Sequence, residues 1–397
     1  MTSLDEARAR DASDPLRHLR GEFDLPEGVI YLDGNSLGAP PRRALDRIAE
    51  TARVEWRRGL VRSWNEAGWI DLPMSAGVKI SRLIGARADE TIVCDSVSVN
   101  LFKLATALLE RSGYDALCID ATEFPTDQYV AEGAARFSGA TPKRIENGEI
   151  PENAVLIKSL VHYKTAGIAD MAASEREARR KNCLLIWDLS HATGLVEIDA
   201  KRDGARFAVG CGYKFLNGGP GAPAFVYVAR EEAQSLNQPV SGWMGHAAPF
   251  EFSSYYAPAQ GVYRFASGTP PILSLAALDA ALDLFEDIDM RLMEEKARAL
   301  GDFFLESLDG APLTALASTP RRGGHVCVRG EDSYAIMQAL IAKGVIGDFR
   351  APDLMRFGFS PLYNTFEDAF RAADMLKRLL ASGDWRAAQF RERRKVT

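Results

Sequence analysis

Five short apolar runs, set apart by stretches long enough for a helix, constrain this chain most. TIVCD (91–95), ALCID (116–120), AVLIKSLV (154–161), CLLIWD (183–188) and FAVGC (207–211) are rich in aliphatic and β-branched residues. A strand with one wet face alternates apolar and polar residues, whereas continuous apolar runs belong to strands covered on both faces. Between the runs, NLFKLATALLERSG (100–113) repeats apolar residues at three and four, and SEREARRKN (174–182) has a helical composition. Continuous strands alternating with helices predict an α/β core whose sheet is mainly parallel.

Beyond this core the pattern changes. Residues 273–308 read as one long helical region, with apolar residues at helical spacing and acids on the other face. GHVCVRG (324–330), YAIMQALIAKG (334–344), LMRFGFSP (354–361) and NTFEDAFRAADMLKRLLASG (364–383) then read as strand, helix, strand, helix. Asn364 with Glu367 three residues on suggests a capping box for the last helix. The predicted division is a large α/β domain over 45–275 and a smaller α+β domain made of 1–44 and 276–397. The closing RERRKV reads as a solvated, frayed tail.

Composition removes several function classes. A net charge of −6, with Arg and Lys scattered among acids, provides no basic field for a nucleic-acid backbone. Runs such as AFVYVA (224–229) fall far short of the roughly 20 residues that span a bilayer. The opening MTSLDEARARDASD is polar and has no signal-type apolar segment, which points to a cytoplasmic protein. Cys94, Cys118, Cys183, Cys211 and Cys327 are far apart and form no CxxC pair, and the five histidines show no ligand spacing, so no metal site is expected.

The chemistry gathers at strand ends. In an open α/β sheet ligands sit outside the carboxyl ends of the strands, where CLLIWDLSHATG places Asp188 and, three residues later, His191. A buried acid there is costly without a cationic partner; the plainer reading is that Asp188 caps a helix. About 20 residues on, FAVGCGYKFLNGGPGAP sets Lys214 just past another strand. An amine held in a buried crevice loses its proton more readily and becomes a nucleophile toward carbonyls, although most single lysines are surface residues. A strand-end Asp followed by a strand-end Lys is the pair that pyridoxal phosphate requires: an amine for the Schiff base and a carboxylate to keep the pyridine nitrogen protonated. DSVSVNLFKLATALL (95–109) offers a phosphate seat, with a helix starting near Asn100 after Ser96 and Ser98. FPTD (124–127) reads as a turn that offers Phe124 for stacking and Asp127 as a second acid.

Together YLDGNSLGAPP (31–41), FPTD, DLSHATG (188–194), GYKFLNGGPGAP (212–223), GWMGH (242–246), GTPPIL (268–273) and RFGFSPLYNT (356–365) resemble the kynureninase family, in the expected order. The resemblance implies a fold-type I pyridoxal-phosphate enzyme with a seven-stranded, mainly parallel sheet and a smaller α+β domain. It implies a Schiff base of pyridoxal 5′-phosphate on Lys214, with Tyr213 contacting the phosphate and relaying a proton. Asp188 is similar to the pyridine-nitrogen partner, His191 to its neighbour, and Phe124 to the stacking residue, with Pro125, Thr126 and Asp127 in the same cofactor-binding segment. Val97 and Ser98 match the phosphate side, and Ser159 in SLVHYKTAG (159–167) matches another cofactor contact. Trp243 and Thr269 correspond to residues that complete the phosphate site across a homodimer interface. Arg356 resembles the arginine that holds the substrate's α-carboxylate, with Trp64, Asn35 and Ser36 as further substrate-binding residues. The activity implied is hydrolytic Cβ–Cγ cleavage of L-kynurenine to anthranilate and L-alanine, in tryptophan catabolism or pyridine nucleotide (NAD) biosynthesis.

Two features depart from the family pattern: Thr269 stands where some members have asparagine, and SWNEAGW (63–69) where animal members differ. Both bear on the choice between L-kynurenine and 3-hydroxy-L-kynurenine, and the Trp-containing form points to L-kynurenine. Two other readings compete. One is a cysteine desulfurase or aminotransferase-like enzyme using the same Lys214 and Asp188; the other is a silent scaffold that binds the cofactor.

Overall fold

The computed structural model describes residues 2–316 and 321–393. Residues 394–397, which include the end of the RERRKV tail (391–396), lie outside them. The chain divides into two compact units, Arg43–Tyr163 with Ala169–Asp287, and Met1–Arg42 with Lys164–Ile168 and Ile288–Thr397. In chain order the strands are β1 (Ile30–Tyr31), β2 (Thr91–Val93), β3 (Ala116–Asp120), β4 (Thr141–Ile145), β5 (Val155–Ser159), β6 (Leu184–Asp188), β7 (Phe207–Gly210), β8 (Phe225–Val228), β9 (Thr314–Ala315), β10 (His325–Arg329), β11 (Val345–Ile346), β12 (Asp348–Arg350) and β13 (Leu354–Gly358).

The larger unit carries a seven-stranded sheet in the order β2-β8-β7-β6-β5-β3-β4. Strands β4, β3, β5, β6 and β7 pair in parallel, and β8 runs antiparallel to both β7 and β2. The five apolar runs become β2, β3, β5, β6 and β7, all but the end of β5 buried throughout. The apolar pattern did not reveal β4, TPKRI, because an edge strand keeps polar, exposed residues that discourage further pairing. The helix Val97–Ser112 lays Leu101, Leu104, Ala105 and Leu108 into the core formed with Ile119, Ile157, Ile186 and Val209.

Element boundaries moved where a side chain had a different task from the one its type suggests. The helix expected to start near Asn100 starts at Val97, because the Ser96 hydroxyl accepts from the Val99 amide. Asn100 is inside that helix, with its amide donating to the Cys94 carbonyl at 2.7 Å. FPTD opens the helix Pro125–Phe137 instead of forming an isolated turn, since proline's missing N–H is tolerated in a first turn. The long region 273–308 is two helices, Ile272–Leu282 and Met290–Ser307, and the Asp289 side chain caps the second.

The smaller unit holds a four-stranded sheet, β12-β13-β10-β9, with antiparallel pairings, and the parallel pair β1-β11. Its last helix, Phe366–Ser382, does have a capping box, but one residue later than expected, with Thr365 and Asp368. Asn364 cannot serve as the cap because its amide accepts from the Ser360 N–H (2.8 Å) and donates to the Tyr31 carbonyl (2.9 Å). The N-terminal helix Leu4–Ser13 is tied to this unit by Asp11, whose carboxylate accepts from the amides of Phe366 and Glu367 at 2.7 and 3.0 Å. The first tail residues are docked, not frayed: Arg391 pairs with Asp332 at 3.0 Å, and Arg393 lies 4.2 Å over the Tyr334 ring.

The helix Leu72–Leu83 packs so closely on β2 that a Cβ at Gly77 would lie 2.2 Å from the Thr91 carbonyl oxygen. Gly77→Ala is therefore expected to lower stability by about 1–3 kcal/mol, seen as a lower urea midpoint at unchanged slope.

Candidate active site

Parallel register brings several sequence-predicted residues of the larger unit to the carboxyl ends of adjacent strands. Ser159 and Asp188 are register partners at the ends of β5 and β6, and Asp188 pairs in turn with Val209 of β7. The Leu160 amide donates to the Asp188 carbonyl at 3.0 Å and the Leu189 amide to the Val209 carbonyl at 2.8 Å, which binds the three strand ends together. His191 is buried in the turn that follows.

Three carboxylates meet here. Asp188 is buried, and both Ser190 donors, the amide at 2.9 Å and the hydroxyl at 2.6 Å, fall on its Oδ1. Asp127, in the first turn of its helix with Pro125 and Thr126, is buried, and its Oδ2 has no hydrogen-bond partner among the described residues. Burial, then the neighbouring Asp188 and Glu123 carboxylates, pushes the Asp127 carboxyl well up, and Lys214 only partly offsets them. Glu123 is the third acid and was missed in the sequence; it accepts from the Ser159 amide at 2.8 Å and hydroxyl at 2.5 Å. Burial raises its carboxyl too, against the pull of those bonds.

Lys214 enters from the β7–β8 connection. Its Nζ lies 6.0 Å from the Phe124 ring centroid and 5.9 Å from that of Tyr213. Phe124, 36% exposed, is braced edge-on by Tyr163 at 5.3 Å. The connection folds back on itself: the Gly218 amide donates to the Gly212 carbonyl, and a Cβ at Gly218 would lie 2.8 Å from that oxygen. Burial pushes the Tyr213 phenol up, and Cys211, Asp188 and Asp127 add to the shift.

The turn after β2 presents Val97 and Ser98, both half-buried, in the first helical turn, where amides lack partners within the helix. Beneath it, Asp95 holds a left-handed backbone (φ +48°) that a non-glycine residue adopts at a cost. The completely buried Lys103 stabilises the turn by donating to Asp95 Oδ2 and to the Phe265 carbonyl, each at 2.5 Å. A lone lysine inside the apolar run NLFKLATALL was the available signal for this support.

Other predicted residues are placed elsewhere. Trp243 packs on Phe250 and Phe252 in an exposed aromatic group, and Thr269 is exposed. No hydrogen bond or ring contact among the described residues joins either to the carboxylate cluster. Trp64 stands edge-on to Trp69 at 6.0 Å. Arg356, Asn35 and Ser36 belong to the smaller unit, where they meet: Arg356 on β13 is gripped side-on by Asp348 of β12 (Nε 2.9 Å, Nη2 2.5 Å) and donates to the Ser36 hydroxyl at 3.1 Å. Asn35 is fully buried, and both ends of its amide lack hydrogen-bond partners among the described residues. All five cysteines are buried, and no group of three or more His, Cys, Asp or Glu among the described residues could hold a metal ion. No helix there is long and apolar enough to cross a membrane.

Residues 293–376 match the family described as "Kynureninase C-terminal domain". The chain is 43% identical over 416 residues to a kynureninase of Pseudomonas fluorescens and 42% identical over 418 residues to one of Burkholderia mallei, covering 100% of both chains in each case. Among solved structures it is similar to the cysteine desulfurase CsdA of Escherichia coli (TM-score 0.79, 16% identity, 92% of this chain and 98% of that one). A cysteine desulfurase of Thermococcus onnurineus gives the same score and coverage at 18% identity. These structural likenesses concern the fold.

Because the folded chain keeps a proton on Asp127 to higher pH than the unfolded chain does, its stability falls as pH rises from the ordinary carboxylate range through the raised value. Asp127→Asn retains the neutral form. Its Tm relative to the wild type, measured without ligand, is expected to become more favourable from about pH 5 to about pH 8.

Proposed function

The chain belongs to the kynureninase family, and from that premise we propose that it uses pyridoxal 5′-phosphate to cleave L-kynurenine hydrolytically to anthranilate and L-alanine. The observation that carries the reading is the convergence of Lys214 with the buried Asp188 and Asp127 at the carboxyl edge of the sheet.

The residues fit that cofactor. Three buried acids lie together, Asp127 among them facing Lys214, a concentration of carboxylates that a protonated ring nitrogen would relieve, and Asp127 Oδ2 is buried without a donor among the described residues. Asp188, whose two Ser190 bonds fall on Oδ1, would hold the ring nitrogen's proton. The helix beginning at Val97 would seat the phosphate with its free amides, beside Ser98. Phe124 would cover the ring, and His191 and Ser159 would border it. Bound there, pyridoxal 5′-phosphate supplies an aldehyde for covalent attachment to Lys214 and an electron-poor ring that weakens bonds at the substrate's Cα and Cβ.

The chain's own groups then divide the work. Lys214 Nζ would move the proton at the substrate's Cα. Tyr213 keeps its phenolic proton because burial and nearby acids oppose its loss, so it serves as a donor toward the carbon released at Cβ. Arg356 offers the fork that receives the α-carboxylate, beside Ser36 and Asn35. A desulfurase needs an accessible acceptor cysteine, and each cysteine here is buried.

The exposed aromatic group of Trp243, Phe250, Phe252, Tyr255 and Tyr256 supports a homodimer in which Trp243 and Thr269 complete the partner's phosphate site.

Purified protein with the cofactor should turn L-kynurenine into fluorescent anthranilate, with a higher kcat/KM than for 3-hydroxy-L-kynurenine. Lys214→Ala should lose turnover and borohydride-fixable cofactor together; retained turnover would refute the assignment. Light scattering should give twice the 43.5 kDa chain mass, and Phe252→Asp combined with Tyr255→Asp should shift it to the single-chain value with loss of activity. A fully active single chain would refute the shared site.

A further inference from the structure

The seat proposed for the substrate carboxylate contains more acid than its role calls for. Arg356 and Arg350 both converge on Asp348, which accepts from Arg356 at 2.9 and 2.5 Å, from Arg350 at 2.7 Å and from the Ser36 hydroxyl at 2.7 Å. Two guanidiniums against one carboxylate leave a single positive charge: both side chains of the Arg356–Asp348 pair are 2% exposed, and Arg350 reaches them from a position 36% exposed. A second acid, Asp33, adjoins them. Its backbone is bridged to Gly358 at the end of β13, its carbonyl accepts the Ser36 amide at 2.9 Å, and its Oδ1 is buried without a hydrogen-bond partner among the described residues.

We propose that Asp33 determines how strongly the Arg350–Arg356 pair attracts the substrate's carboxylate, because ionised Asp33 supplies the same negative charge that the substrate would bring. The inference rests on the reading of Arg356 as the carboxylate seat. With Asp33 protonated, the net positive charge of the cluster attracts an incoming carboxylate. With Asp33 ionised, the surplus is cancelled and the two anions compete, so binding the substrate takes up a proton.

The surroundings favour this competition. Burial and then the Asp348 carboxylate push the Asp33 carboxyl up to about 7, while Ser36, Arg356 and Arg350 pull the other way. Burial acts on Asp348 as well, but Arg356, Arg350 and Ser36 outweigh it and hold that carboxyl below its usual range, so Asp348 stays ionised as the permanent partner. The other titratable groups facing Asp33 are the phenols of Tyr31 and Tyr363, both raised mainly by burial and therefore neutral. Cys327 of β10, which faces Arg356 and Asp348, is pushed up to about 12 by burial and is neutral too. Asp33 is thus the group in this cluster whose charge changes near neutral pH.

Propionate, a carboxylate without an amine, tests this as a competitive inhibitor of the holoenzyme. Its inhibition constant should rise about tenfold from about pH 6 to about pH 8.5, one unit charge acting across partly buried protein. The KM for L-kynurenine should show the same limb with little change in kcat. In Asp33→Asn, or Asp33→Ser should the first variant fold poorly, the inhibition constant should stay at its low-pH value throughout. Arg356→Lys should weaken propionate at every pH. If the Asp33 variants keep the wild-type limb, or the wild type shows none, while Arg356→Lys still weakens propionate, the role of Asp33 is overturned and the carboxylate seat stands. If Arg356→Lys leaves propionate unaffected, the seat itself is misassigned and the inference falls with it.

Discussion

The structure of the larger unit depends on burying carboxylates at the carboxyl ends of parallel strands. Asp188, Asp127 and Glu123 could each be solvated in an unfolded chain, and the fold instead places them in one crevice with Lys214 nearby. Burial of like charges is unfavourable unless protons or cations compensate. Part of the compensation is local, through Ser190 on Asp188 and Ser159 on Glu123. The rest is left to a proton on Asp127 and to whatever cation the site receives. A protonated pyridine nitrogen meets that need, which is why the electrostatics and the family membership support the same cofactor.

The smaller unit handles a similar problem with the opposite sign. Its most deeply buried guanidinium is Arg356, and the antiparallel register of β12 with β13 puts the equally buried Asp348 directly opposite it. A guanidinium held side-on keeps its orientation, so a ligand need not spend binding energy on ordering it. The close approach of Asn35 to β13 requires that residue 358 lack a side chain: a Cβ there would lie 1.7 Å from Asn35 Oδ1. The motif GNSLG and the later motif RFGFSP therefore meet in one piece of packing.

Much of the architecture could be read from the sequence because its signals are local or periodic. Apolar runs covered on both faces located five strands of the large sheet, and strand-end chemistry pointed to Asp188 and Lys214. The misreadings share one cause, that a side chain's type does not reveal what it binds. Asn364 looked like a helix cap but is engaged with Ser360 and Tyr31, which leaves capping to Thr365. The strand TPKRI carries edge polarity, and the basic tail is held by Asp332 and the Tyr334 ring.

The sequence alone was enough to settle the family and, apart from β4 and the break between the helices Ile272–Leu282 and Met290–Ser307, the alternation of strands and helices, since both depend on residue order and spacing. It could show Lys103 as a charge inside an apolar helix, and Glu123, Asp33 and Asp348 as ordinary acids. That Lys103 braces the turn after β2, that Glu123 grips Ser159, and that Asp348 and Asp33 surround Arg356 was decided by tertiary structure. The reason is physical: desolvation and Coulomb interaction depend on burial and on distances of a few ångströms between residues as many as 323 positions apart in the chain, such as Asp33 and Arg356.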